Sequence, residues 1–119
     1  MKKIISLFVF SLIIISCSKN EGTDENQNNC STPIFLDALN FETNSVTASW
    51  EDKNGSDFFE IQYGPRGFSL GQGITINANS SGKQIQGLNS NFAYDFYVRA
   101  NCGSDNFSDW AGPHSFVTN

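Results

Sequence analysis

Nine residues near the C-terminus, Phe92 to Ala100, read FAYDFYVRA. Tyr94, Phe96, Val98 and Ala100 fall on one side of an extended chain, and Asp95, Tyr97 and Arg99 on the other. Side chains of a strand alternate between faces, so this spacing describes a half-buried antiparallel strand. SVTASW (Ser45–Trp50) repeats the pattern, setting Val46, Ala48 and Trp50 against Ser45, Thr47 and Ser49. FFEIQY (Phe58–Tyr63) sets Phe59, Ile61 and Tyr63 against Glu60 and Gln62. Weaker runs cover Ile34–Phe41, Gly73–Asn77, Lys83–Gln86 and His114–Thr118. Asn54-Gly55, Gly64-Pro65 and GLNSN (87–91) punctuate them as turns. From Cys30 onward no segment carries a helical period. Seven short strands in the 90 residues 30–119 predict an all-β sandwich of two sheets.

The N-terminal segment follows a different rule. Lys2 and Lys3 precede a twelve-residue apolar stretch, Ile4 to Ile15, interrupted only by Ser6 and Ser11. As a helix it would rise about 18 Å at roughly 1.5 Å per residue, against a hydrocarbon core about 30 Å thick. It is too short to span, and its layout is that of a secretory signal peptide. Ile14-Ile15-Ser16-Cys17 resembles the bacterial lipobox, in which the chain is cut before a cysteine that carries a diacylglyceryl group. The resemblance implies that residues 1–16 are removed and that Cys17 becomes the lipid-bearing first residue. One acyl chain holds a protein only marginally, whereas two or three hold it stably. The alternative is an ordinary signal peptide with an incidental cysteine.

Ser18 to Asn29, SKNEGTDENQNN, contains no apolar residue. With nothing to bury, residues 17–29 are expected to form a disordered linker with a reach of roughly 20 Å. Its acidic pattern resembles export signals that follow the lipid cysteine in some Bacteroidota lipoproteins, and reads equally well as a soluble spacer. The expected location is the cell envelope: exported, anchored to the outer membrane, and facing either the cell surface or the periplasm.

Cleavage would leave 103 residues, enough for one small domain. The leader carries two of the seven basic residues and none of the twelve acidic ones, so the remainder has a net charge of −7. An acidic chain with scattered lysines argues against nucleic acid and anionic membrane surfaces as partners. Cys30 and Cys102 remain, and an oxidising compartment permits a disulfide between them. Two cysteines and one histidine do not make a zinc site.

Pro33, SVTASW, FEIQYG, GL-x5-YDFYVRA and SDWAGP-x-SF resemble, in order and spacing, a fibronectin type III domain. The likeness runs from Cys30 to Asn119. It implies a seven-stranded immunoglobulin-like sandwich in which Trp50 is the core tryptophan of the second strand. Leu88 and Tyr94 then match the tyrosine corner, where a phenol bonds to nearby backbone. The topology implied brings Cys30 and Cys102 to one pole, although domains of this family do not generally carry that bond; two free buried thiols are the alternative. SDWA sits where related domains carry a tryptophan stacked on arginine, which implies that Trp110 lies over Arg99. YGPRGFSLGQG and RANCG further resemble modules of secreted flavobacterial proteins.

Catalysis needs a nucleophile with its base, a carboxylate pair or a metal. His114 is the sole histidine and reads as a surface strand residue. No G-x-S-x-G is present, and Gly64, Gly67, Gly71 and Gly73 lack the G-K-[ST] of a phosphate cradle; they fit a hairpin connection better. Glu51, Asp52 and Asp57 flank a turn, with a spacing unlike an EF-hand. No enzymatic activity, cofactor or metal is expected. One candidate binding face comprises Glu60, Gln62, Tyr97 and Arg99 with Trp110 at its edge, since aromatic and arginine side chains are enriched at interfaces; an ordinary solvated sheet face is the alternative. The second candidate is the loop pole Glu51–Asp57, Asn77–Gly82 and Asn101–Ser108. The function expected is non-enzymatic binding or display, towards a protein or glycan. The alternative is a structural spacer or assembly component of an envelope complex.

Overall fold

The computed structural model describes residues 29–119. The leader, Cys17 and the linker as far as residue 28 lie outside the described residues. Seven strands follow in chain order: β1 Ile34–Leu39, β2 Val46–Glu51, β3 Phe58–Pro65, β4 Ile74–Ala78, β5 Gly82–Ile85, β6 Ala93–Asn101 and β7 Ala111–Val117. They form a three-stranded sheet, β1-β2-β5, and a four-stranded sheet, β4-β3-β6-β7. Every pairing is antiparallel.

The alternation read from the sequence decides what lies between the sheets. Val46, Ala48 and Trp50 point inward from β2, Phe59 and Ile61 from β3, and Tyr94, Phe96, Val98 and Ala100 from β6, all buried. Trp50 meets Phe59 edge-on with ring centroids 5.2 Å apart. Each large apolar side chain buried here contributes about 1.5–3 kcal/mol. The Trp50 indole N–H sits in this layer without a hydrogen-bond partner among the described residues, a cost of about 1–3 kcal/mol set against burial of the ring. Leu88 is buried beside this layer, and the Tyr94 phenol oxygen accepts the backbone N–H of Asn89 at 2.7 Å.

Two edge strands depart from regular pairing. In β7, Phe96 faces His114 and Val98 faces Ala111, so Gly112 and Pro113 together stand opposite Tyr97. Gly112 has φ 115°, and a Cβ there would lie 2.8 Å from the Phe96 carbonyl oxygen. The strand therefore begins at Ala111, earlier than the run from His114 suggests: Gly-Pro is a turn signal in sequence, yet an edge strand tolerates it as a bulge. In β1 the register shifts between Ile34 and Asp37, and Phe35, at φ 56°, is turned out to solvent.

The strand order puts the entry of the chain, the β2–β3 and β4–β5 connections and the end of β6 at one pole. The β3–β4 loop and the C-terminus lie at the other.

Candidate functional site

The outer face of the four-stranded sheet divides into three zones along β3 and β6. Phe58 pairs with Asn101, Glu60 with Arg99, Gln62 with Tyr97 and Gly64 with Asp95. On the far side of β3, Glu60 pairs with Asn77 and Gln62 with Thr75.

The zone nearest the C-terminal pole is closed by the protein itself. Residues 66–73 fold back over the sheet, and their backbone N–H groups need acceptors. Asp95 supplies one carboxylate oxygen to Gly67 N–H at 2.9 Å, and its other oxygen accepts the Ser115 hydroxyl. The Gln62 side-chain oxygen accepts both Gly71 N–H and Gly73 N–H. Phe68 fills the space under the loop, where a Cβ on Gly64 or Gly73 would lie 2.9 or 2.6 Å from its ring. Gln62 and Asp95 are thereby only 6% and 5% exposed, although both belong to the polar side of their strands. Gln62, expected among the exposed binding residues, is consequently covered by this loop. The reason is the glycine spacing, which lets a loop lie flat on the sheet and recruit the nearest side-chain acceptor.

The middle zone is a cation between aromatic and acidic neighbours. Arg99 donates from Nε and Nη2 to one Glu60 carboxylate oxygen, at 3.0 and 2.8 Å. Its guanidinium carbon lies 4.7 Å from the Trp110 ring centre, as the resemblance implies, and 3.9 Å from that of Phe107. Phe107 escapes the sequence reading because it stands in a polar loop; the bridge between Asn101 and Phe107 folds that loop onto β6. Tyr97, half-buried, is capped on one side by Phe68. Of the five residues expected to form a binding face, Arg99 engages both Glu60 and Trp110.

The third zone, at the entry pole, is open. Phe58 is 60% exposed. It shares the parity of Glu60 and Gln62, the signal that could have placed it outside. Beside it a cleft of about 400 Å³ is lined by Phe58, Glu60, Asn77, Asn79, Lys83 and Asn101. The exposed side chains of Asn77, Asn79 and Lys83 have no bonding partner among the described residues.

The pole beneath this cleft is tied together. Cys30 and Cys102 form a disulfide, with Cα atoms 5.8 Å apart. The Ser56 hydroxyl lies 3.8 Å from Cys102 Sγ. Asp52 accepts Ser56 N–H at 2.6 Å and an Asn54 amide hydrogen at 3.2 Å. Asn54 in turn exchanges two hydrogen bonds with the Ser31 backbone, both 2.8 Å. The acidic turn between β2 and β3 thus uses Asp52 for its own backbone and side chains. His114 lies within β7, its Nε2 3.9 Å from an Asp37 carboxylate oxygen and its ring edge-on to Phe96. Among the described residues no three His, Cys, Asp or Glu side chains gather where a metal could be held.

No family model and no curated protein matches the chain. Solved structures do. A myokine structure superposes with TM-score 0.65 at 19% identity, over 76% of this chain and 98% of that one. The FN5 domain of Drosophila Lar superposes with TM-score 0.61 at 16% identity, over 75% and 96%. The FN1–FN3 domains of chicken CNTN1 match with TM-score 0.64 at 14% identity, over 72% of this chain and 29% of that one. The fold is that of a fibronectin type III domain.

In this sandwich the open zone lies at the pole where the chain enters, and the self-covered zone at the other end of the same face.

Proposed function

We propose that the chain is an exported lipoprotein whose fibronectin type III domain is a non-enzymatic binding or display module at the cell envelope. The observation that carries the reading is the unequal treatment of one sheet face. Its own loop and ion pair cover two zones, while the third keeps an exposed ring and unpaired amides over a braced pole. The anchor rests on the short apolar leader ending in Ile14-Ile15-Ser16-Cys17, and outer-membrane placement on the resemblance to Bacteroidota lipoproteins. The test is protease shaving of intact cells, with a Cys17→Ala variant and a periplasmic marker. Membrane association lost on Cys17→Ala supports the anchor, and association unchanged overturns it. Removal of the domain with the marker intact means an outward-facing module.

A second reading, a spacer or assembly component, has one observation in its favour. Arg99 already engages both Glu60 and Trp110. It predicts that Phe58→Ala leaves every association of the chain unchanged.

A further inference from the structure

We propose that the open zone is a carbohydrate site, taking an uncharged, hydroxyl-rich glycan with one sugar ring stacked on Phe58. This rests on the reading of the domain as a binding module and names its ligand class.

The ring comes first. A phenyl group 60% exposed on a strand leaves a flat apolar surface in water, and its face carries the negative part of the ring quadrupole. A pyranose offers the complement, a flat face of weakly positive C–H groups. Stacking removes both from water while the sugar hydroxyls stay at the rim. Phe58 is held by the β3–β6 ladder, so little ordering is required when a ligand arrives.

The polar groups come next. The amides of Asn77, Asn79 and Asn101 line the same cleft. Each carboxamide has two N–H donors and an acceptor oxygen, which suits vicinal hydroxyls that both give and take hydrogen bonds. The first two amides have no partner among the described residues; the Asn101 oxygen accepts Gly103 N–H at 2.9 Å, which leaves its NH₂ to donate.

Charge weighs against acidic and basic ligands. Glu60 is committed to Arg99. Lys83, at the rim, and Asp57, beside Phe58, are the remaining charges, one of each sign. An acidic ligand would meet one lysine on a chain of net charge −5, and a basic ligand would meet that lysine. A neutral ligand meets neither obstacle. The cleft, about 400 Å³, is at the small end of the roughly 300–1,000 Å³ of ligand pockets, and fits one or two sugar units of a longer chain.

The experiment uses the full chain, purified in detergent with its disulfide intact. It is probed with neutral β-glucan, mannan and galactan fragments and with acidic polyuronate and chondroitin sulfate, by microarray and then by titration. The expected result is binding to a neutral fragment. Phe58→Ala should weaken it at least 10-fold at unchanged melting temperature, Phe58→Trp should retain it, and Asn77→Ala with Asn79→Ala should weaken it several-fold. Preference for the acidic fragments, or neutral binding that survives Phe58→Ala and the asparagine pair, overturns the proposal. Retention of an envelope protein but no glycan, lost in Phe58→Ala, overturns the glycan class and leaves the binding module standing. No retention of either kind overturns both.

Discussion

Phe68 meets Tyr97 edge-on, with ring centroids 5.5 Å apart and planes at 87°. The contact joins the loop between β3 and β4 to the centre of β6. It converts part of an outer sheet face into a small second layer, and takes up one side of an aromatic residue that the sequence offers to a ligand.

That layer depends on a missing methyl group. A Cβ at Gly73 would lie 2.6 Å from both the Phe68 ring and the Tyr63 carbonyl oxygen, and the latter cannot rotate aside. Gly73→Ala should cost about 1–3 kcal/mol in urea unfolding, the usual penalty of overpacking. It should also open the loop to trypsin at Arg66, where the parent domain resists.

Gln62 is the second support of the same loop. Gln62→Leu keeps the volume and removes the acceptor of two backbone N–H groups. The expected loss is about 1–3 kcal/mol for donors left unsatisfied, with accelerated hydrogen exchange at Gly71 and Gly73 and no change at the opposite pole.

The strands were legible because alternation needs only neighbouring residues: Val46, Ala48 and Trp50 betray their face within six positions. What the sequence could not convey is where a loop goes after it leaves the sheet. Gln62 and Asp95 have the parity of solvent residues, and only the return of residues 66–73 buries them. The glycines of that loop were visible; their target was not. Cys30 and Cys102 are 72 residues apart, and sequence separation alone carries no distance. Phe58 shows the opposite failure: its outward parity is plain from Glu60 and Gln62, but masked by the buried Phe59 beside it.

The disulfide closes a loop of those 72 residues. In the chain-entropy model this stabilises by about 4–5 kcal/mol. Cys30→Ala with Cys102→Ala should lower the unfolding free energy by that order, and a reductant should have no further effect on the variant. Equal urea midpoints for parent and variant under oxidising conditions would contradict it.

Arg99 stacks on Trp110 and Phe107 while bonded to Glu60. A double-mutant cycle of Arg99→Met and Trp110→Leu should return a coupling of about 0.5–1 kcal/mol, the range for a part-exposed cation–π contact. The Glu60 pair, about a quarter exposed, should contribute no more than about 1 kcal/mol.

Tyr63 gives the domain an alkaline limit. Desolvation by burial, and then the neighbouring Tyr94, raise its phenol above the ordinary 10.0. The unfolded chain therefore loses this proton first. The stability held in the neutral phenol is fully present below pH 10.0 and is lost as pH rises through the higher folded value. Urea midpoints should fall as the pH rises past 10.0, less steeply in Tyr63→Phe.

The bond between Cys30 and Cys102 also decides how the domain bears a load. A pull on the chain ahead of Cys30 does not have to peel β1 from its sheet. It passes through two sulfurs to Cys102 and thence to Asn101, whose partner across the ladder is Phe58. Tension between a tether at one end and a ligand seated on Phe58 would cross this pole alone, and the remaining strands would hang outside the line of force.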